Sequence, residues 1–211
     1  MKLNDLVRRA ACVVRGSWGV RHEDDCRVWP RGEVFITLRD ARSGQVQDSR
    51  HLKNLIVRDA SILIARLMKD SAEPTHGCYL LAVGSGDTGW DPMNPPAPTV
   101  TQRALYGEIS RKTFWQTQFI DGDGQPSAVP TNVVDFSARF SESEAVGPLV
   151  EMGILGGNVT ASTRVAVSPP NVPYDPTVNL VDFDTLVNYL TFPVINKPAT
   201  STLELTWRLT F

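Results

Sequence analysis

Apolar and polar positions alternate most regularly at the two ends of the stretch from residue 33 to the last residue. At its close Leu203, Leu205, Trp207, Leu209 and Phe211 fall on one side of an extended chain, with Glu204, Thr206, Arg208 and Thr210 on the other. A period of two sends successive side chains to opposite faces, so this run predicts a half-buried strand of an antiparallel sheet. Positions 33–40 carry the same signature, Val34, Ile36 and Leu38 opposing Phe35, Thr37 and Arg39. Ser43-Gly44 then turns the chain, and 45–51 is predicted to return as its hairpin partner. Further strands are predicted over 79–83, 113–120, 133–140, 150–155 and 163–167, separated by Gly84-Ser85-Gly86, Asp121-Gly122-Asp123-Gly124, Gly156-Gly157 and Pro169-Pro170. Pro92, Pro95, Pro96 and Pro98 make the intervening 92–98 an extended loop.

Two segments follow helical spacing instead. Ile56, Ala60, Leu63, Ile64 and Leu67 recur on one side of a wheel while Arg58, Asp59, Arg66 and Lys69 fall elsewhere, which predicts a packed helix near 55–69 with Asn54 as its N-cap. Leu3, Leu6, Val7, Ala10, Val13 and Val14 predict an amphipathic helix over 2–15, ending near Gly16. The charged stretch 21–27 and then Trp29-Pro30 separate it from the strands. Two parts are therefore expected: an N-terminal amphipathic helix and arm over 1–31, and a β-rich domain over 32–211. The fold class expected is mainly β, an antiparallel β-sandwich-like domain with one long packed α-helix and an N-terminal helical arm.

Composition narrows the function more than the fold. Lys and Arg number 21 against 23 Asp and Glu, a net charge of −2, so the one-signed field that drives nucleic-acid or anionic-membrane binding is missing. No run approaches the ~18 apolar residues of a membrane span. Three cysteines cannot form a disulfide framework by themselves and read as free thiols.

Each constellation that resembles a catalytic or ligand motif fails on mechanism. Gly84, Gly86 and Gly89 fit G-x-G-x-x-G, yet Trp90-Asp91-Pro92 and the prolines beyond prevent the helix whose N-terminus would hold a phosphate. His22 with Cys26 and His76 with Cys78 are isolated pairs, and neither Cys12 nor His51 completes a four-ligand site. Asp121-Gly-Asp123 opens like a calcium loop but has Asn132 where the bidentate glutamate belongs. Ser85 lies outside a nucleophile elbow. Glu108, Arg111 and Glu151 read as structural ion-pair candidates. No catalytic residue, metal or cofactor is expected.

Taken in order, Asn54-Leu55-Ile56-Val57, Ala82-Val83-Gly84-Ser85-Gly86, Glu108 with Arg111, Glu151-Met152-Gly153-Ile154 and the closing Leu-x-Leu-x-Trp-x-Leu-x-Phe form a series. It resembles tailed-bacteriophage virion structural proteins, in particular the attachment domains of tail-collar and tail-fibre proteins. Those share "N-L-I-V then helix", "A-V-G-x-G", "E-x-x-R", "E-x-G-I/L" and terminal-strand elements, and the resemblance covers about residues 33–211. The chain departs from them in its N-terminal arm, its 92–98 loop and the insert around 169–189. The resemblance implies a non-enzymatic component of a phage tail, neck or collar, or baseplate. Such a component is made in the host cytoplasm and acts in the virion by symmetric assembly and by attaching tail or fibre proteins. The partners expected are further copies of the chain and other virion tail, neck or fibre proteins, with no nucleic acid and no membrane. The contacts are expected from the arm and from loops 90–98 and 169–190, with Leu3, Leu6, Val7, Trp18, Trp90 and Tyr174 as interface candidates, because loop aromatics are enriched at binding hot spots. The alternative is a host-receptor or carbohydrate-binding β-sandwich module, which solvent-facing aromatics beside carboxylates in the 113–126 hairpin would favour.

Overall fold

The alternating C-terminal run lies inside one of two antiparallel sheets. A computed structural model describes residues 30–69, 76–157 and 184–211. Within them the chain forms β1 (Arg31–Asp40), β2 (Val46–Lys53), β3 (Leu55–Ile56), α1 (Asp59–Lys69), β4 (His76–Gly84), β5 (Glu108–Thr113), β6 (Gln116–Ile120), β7 (Pro126–Ser127), β8 (Val133–Phe140), β9 (Gly147–Gly157), β10 (Asp184–Lys197) and β11 (Ser201–Thr210). Sheet A has the order β2-β1-β11-β8-β6-β7 and sheet B the order β3-β10-β9-β4-β5, every neighbouring pair antiparallel.

The period of two decides what each sheet buries. Val34, Ile36 and Leu38 of β1, Leu203, Leu205, Trp207 and Leu209 of β11 and Phe136, Ala138 and Phe140 of β8 meet Leu81 and Val83 of β4, Met152 and Ile154 of β9, and Leu190, Phe192 and Ile195 of β10 in one buried cluster. This is sheet-on-sheet packing, and each large side chain removed from water contributes about 1.5–3 kcal/mol. Asn188 is a polar residue built into the core. The Asn188 amide oxygen, turned toward them, accepts from Trp207 Nε1 at 3.0 Å and Asn54 Nδ2 at 2.8 Å. At the β1–β2 hairpin Asp40 accepts from Ser43 N at 2.8 Å, Ser43 Oγ at 2.9 Å and Arg42 N at 3.1 Å, and Gly44 takes a positive φ of 71°. Those bonds, led by the Ser43 amide, hold the Asp40 carboxyl below its ordinary range.

The expected fold class needs correcting in its helices. The long packed helix over 55–69 is short: α1 has 11 residues, and Leu55–Ile56 is a strand paired with Tyr189 and Asn188 of β10. Asn54 does not cap it; its backbone N–H bonds Gly32 O at 3.2 Å and its side chain turns toward Asn188. The buried stripe is also narrower than the spacing implied. Ala60 and Leu63 are buried, whereas Ile64 and Leu67 keep 39% and 45% of their surface. The N-terminal helical arm, with Leu3, Leu6, Val7 and Trp18, lies outside the described residues, as do Tyr174 and the strand expected over 163–167.

Two strand expectations also change. The single strand over 113–120 is two, β5 in sheet B and β6 in sheet A, the chain crossing between sheets at Phe114-Trp115. Residues 184–190, expected within a contact loop, belong to β10, which lies between β3 and β9. Pro193 is accommodated because the β10–β9 register shifts between Thr191 and Ile195, a bulge where a missing N–H is tolerated. Among the described residues no helix is long and apolar enough to cross a membrane.

The outer face of sheet B is covered too. Leu105, in the segment leading into β5, and Val57, just before α1, bury Leu80, Ala82, Leu155, Leu186 and Tyr189. Arg58 N to Val100 O at 2.8 Å and Arg103 to Asp59 at 3.2 Å fasten this cover to α1. Burial raises the Asp59 carboxyl above its ordinary value, against the pull of Arg103 and Arg58.

Candidate functional site

Three segments of the motif series meet beneath that cover. Gly84 at the end of β4 pairs with Glu151 of β9 on one side and Glu108 of β5 on the other, so the two carboxylates flank a residue with no side chain. Glu108 is neutralised by Arg111, which donates through Nε and, at 2.8 Å, through a terminal nitrogen. Both side chains are nearly buried, and this pair is the ion pair read from the sequence.

Glu151 is different. It is wholly buried, and its partners are hydrogen-bond donors of the chain rather than a cation. Oε1 accepts from Gly107 N at 2.7 Å and Gly86 N at 3.1 Å; Oε2 accepts from Tyr106 N at 3.0 Å and from the Tyr189 hydroxyl. Four charge-assisted bonds compensate a carboxylate taken out of water. Burial, followed by the Glu151 charge and the bond to it, pushes the Tyr189 hydroxyl well above its ordinary range, so it stays protonated and donates.

Glycines make this approach possible. A Cβ on Gly84 would stand 2.5 Å from Glu151 Oε1, and one on Gly107 would stand 2.4 Å from Gly86 O. Gly86 has a φ of +71°, and its missing side chain is replaced by the Trp90 ring. The Gly84-Ser85-Gly86 run is thus a backbone crossing tied by Ser85 N to Gly107 O at 2.8 Å and by Glu151, with no helix following it.

Beside this knot lies a groove of about 240 Å³, lined by Ser85, Gly86, Asp87, Thr88, Trp90, Pro92, Pro148 and Val150. Trp90 is held edge-to-face against Tyr106, ring centres 4.8 Å apart at 60°. The proline loop forming one wall is pinned to β10 by Val194 N to Pro92 O at 2.8 Å and Thr191 Oγ1 to Pro96 O at 2.8 Å. The groove is therefore mostly apolar and preformed, with one carboxylate and two hydroxyls on its walls.

Of the interface candidates, Trp90 is the one among the described residues, and it lies at this groove. Neither Tyr189 nor the central role of Glu151 stands out in the sequence; the signal present is the glycines at 84, 86, 107 and 153, each of which marks a close backbone approach. Among the described residues no group of three or more His, Cys, Asp or Glu is placed to hold a metal ion. Burial pushes the Cys78 thiol up to about 12, which leaves it protonated and unreactive at neutral pH. No protein-family model matches this chain, and no curated protein matches it.

Proposed function

We propose that the protein is a structural component of a phage virion, in the tail, neck or collar, or baseplate, acting by symmetric assembly and by attaching neighbouring tail or fibre proteins. The observation that carries this reading is the convergence of the A-V-G-x-G, E-x-x-R and E-x-G-I segments around Gly84, with Glu151 binding both sides of the crossing. These are the segments on which the resemblance rests, and their joint product is a rigid turn that presents Trp90. A part that works through contacts gains from a surface whose ordering cost is met during folding. In this reading the groove takes a side chain from a neighbouring subunit, with Trp90 as the aromatic wall. The protein is made in the host cytoplasm and resides in the particle, working without turnover or cofactor and without nucleic-acid or membrane partners.

The test is particle incorporation of Trp90→Ala and Met93→Glu. Met93 is 66% exposed beside the groove, so its substitution leaves the core untouched. The expected result is a folded Met93→Glu protein whose copy number in purified particles falls at least about tenfold, the equivalent of ~1.4 kcal/mol in contact free energy. Wild-type incorporation of both variants overturns the assignment of the contact to this groove.

A further inference from the structure

The outer face of sheet A carries mostly polar side chains, with Phe35 among them and Ser137 sunk to 7% exposure, in a register fixed strand by strand. One row across it holds Thr37, Glu204 and Arg139; the next holds His51, Phe35, Thr206, Ser137 and Gln116. At one margin stands Trp115, 60% exposed, its backbone N–H on Ser137 O at 3.0 Å and the Arg139 guanidinium over its ring, 5.2 Å from the centre. Arg139 also reaches Glu204 at 2.9 Å. At the other margin the His51 ring stacks on Phe35, centres 4.4 Å apart and 13° from parallel, with His51 Nε2 3.1 Å from Glu33. From β6 to β2 the face crosses four strand spacings, about 19 Å.

We propose that this face binds a saccharide chain laid across the strands between Trp115 and His51. Three features select that chemistry. The indole, 60% exposed with the Arg139 guanidinium over one face, keeps apolar ring surface for the C–H face of a sugar, and the Arg139–Glu204 pair supplies donors and acceptors for ring hydroxyls. The charges of the face are mixed in sign and paired, Arg208 with Asp135 at 2.8 Å and 2.9 Å and Glu204 with Arg39 at 3.4 Å as well as with Arg139, so no one-signed field favours nucleic acid or a charged peptide. Across the face stand Arg39, Arg139, Arg208, Glu204 and Asp135, charged groups of the kind that the centres of protein–protein contacts lack. A neutral, hydroxylated ligand matches such a surface. The proposal is independent of the particle assignment, since none of these residues lines the Trp90 groove.

The experiment is titration calorimetry of the full chain against maltohexaose, cellohexaose and chitohexaose, repeated with Trp115→Ala, Arg139→Ala and Met68→Ala, with light scattering on each protein. Trp115 is exposed, so its loss leaves the fold standing, and Met68 is 81% exposed on α1, away from sheet A. The expected result is saturable binding of at least one oligosaccharide, weakened about tenfold or more by Trp115→Ala and by Arg139→Ala and unchanged by Met68→Ala. Silence toward all three probes, or binding that survives Trp115→Ala, overturns the proposal. So does dissociation of an oligomer by Trp115→Ala, which makes this face a contact between copies. Incorporation of Trp115→Ala into particles at the wild-type copy number leaves the structural reading standing whichever way the titration falls.

Discussion

Replacing Glu151 with Gln changes one oxygen of the knot to an NH₂ group and keeps its shape. The amide oxygen can keep the Gly107 and Gly86 N–H groups now at 2.7 Å and 3.1 Å. The new NH₂ then faces two donors, the Tyr106 N–H and the Tyr189 hydroxyl. The hydroxyl can rotate and accept, but the backbone N–H cannot, so one donor is left unpaired at a cost of about 1–3 kcal/mol. The two remaining bonds lose their charge assistance, while a buried charge is removed. The balance is a loss of about 2–4 kcal/mol, seen in urea unfolding as a lower midpoint at constant slope and on heating as a fall of roughly 5–15 °C. Glu151→Ala leaves all four donors unpaired and is expected to cost more. A Glu151→Gln protein within about 0.5 kcal/mol of the wild type refutes the knot.

Three further outcomes follow from the same geometry. Gly107→Ala places a methyl 2.4 Å from the Gly86 carbonyl and is expected to cost about 1–3 kcal/mol in urea melts, whereas Gly89→Ala, with nothing within 4 Å, stays within about 0.5 kcal/mol of the wild type. Burial raises the Glu144 carboxyl, but bonds from Lys112 at 2.6 Å and Ser141 N at 2.7 Å outweigh it and hold the group below its ordinary 4.5. With the folded value depressed, its stabilisation is present above about 4.5 and is lost as pH falls through the folded value, so Glu144→Gln flattens the acid limb of stability measured between about pH 6 and pH 3. Deleting 207–211 removes the buried Trp207 and Leu209 from a strand held between β1 and β8; circular dichroism of that chain is expected to show no cooperative melt, the loss exceeding about 5 kcal/mol.

Strands whose two faces differ in polarity are legible in the sequence, because the period of two appears only where the faces differ. The closing strand and 133–140 both show it, although in β8 the polar Asp135 and Ser137 are themselves buried, Asp135 against Arg208. β10 is buried on both faces, packing Leu190 and Phe192 inward and Leu186 and Tyr189 under the cover, so no alternation marks it; Asn188 and Pro193 further disguise it. The helical pattern in the sequence runs past the helix itself because Ile56 sits at a spacing that fits the wheel, while pairing with Asn188 draws it into a strand. At the site, the Glu108–Arg111 pair was visible because both partners are side chains three residues apart. Glu151 reads from the sequence as an ion-pair candidate, whereas its partners are backbone N–H groups of residues 86, 106 and 107 and the distant Tyr189 hydroxyl, which a sequence does not display. Trp115 was hidden inside what read as one strand, and the crossing from sheet B to sheet A is what leaves it in solvent.

The virion assignment is tested most directly by peptide mass spectrometry of density-purified particles from the source, with the copy number of this chain measured against the major capsid protein. The account predicts a small, reproducible copy number that matches a symmetric ring or a set of attachment points. Recovery of the chain in the soluble fraction alone, with none in the particles, contradicts it.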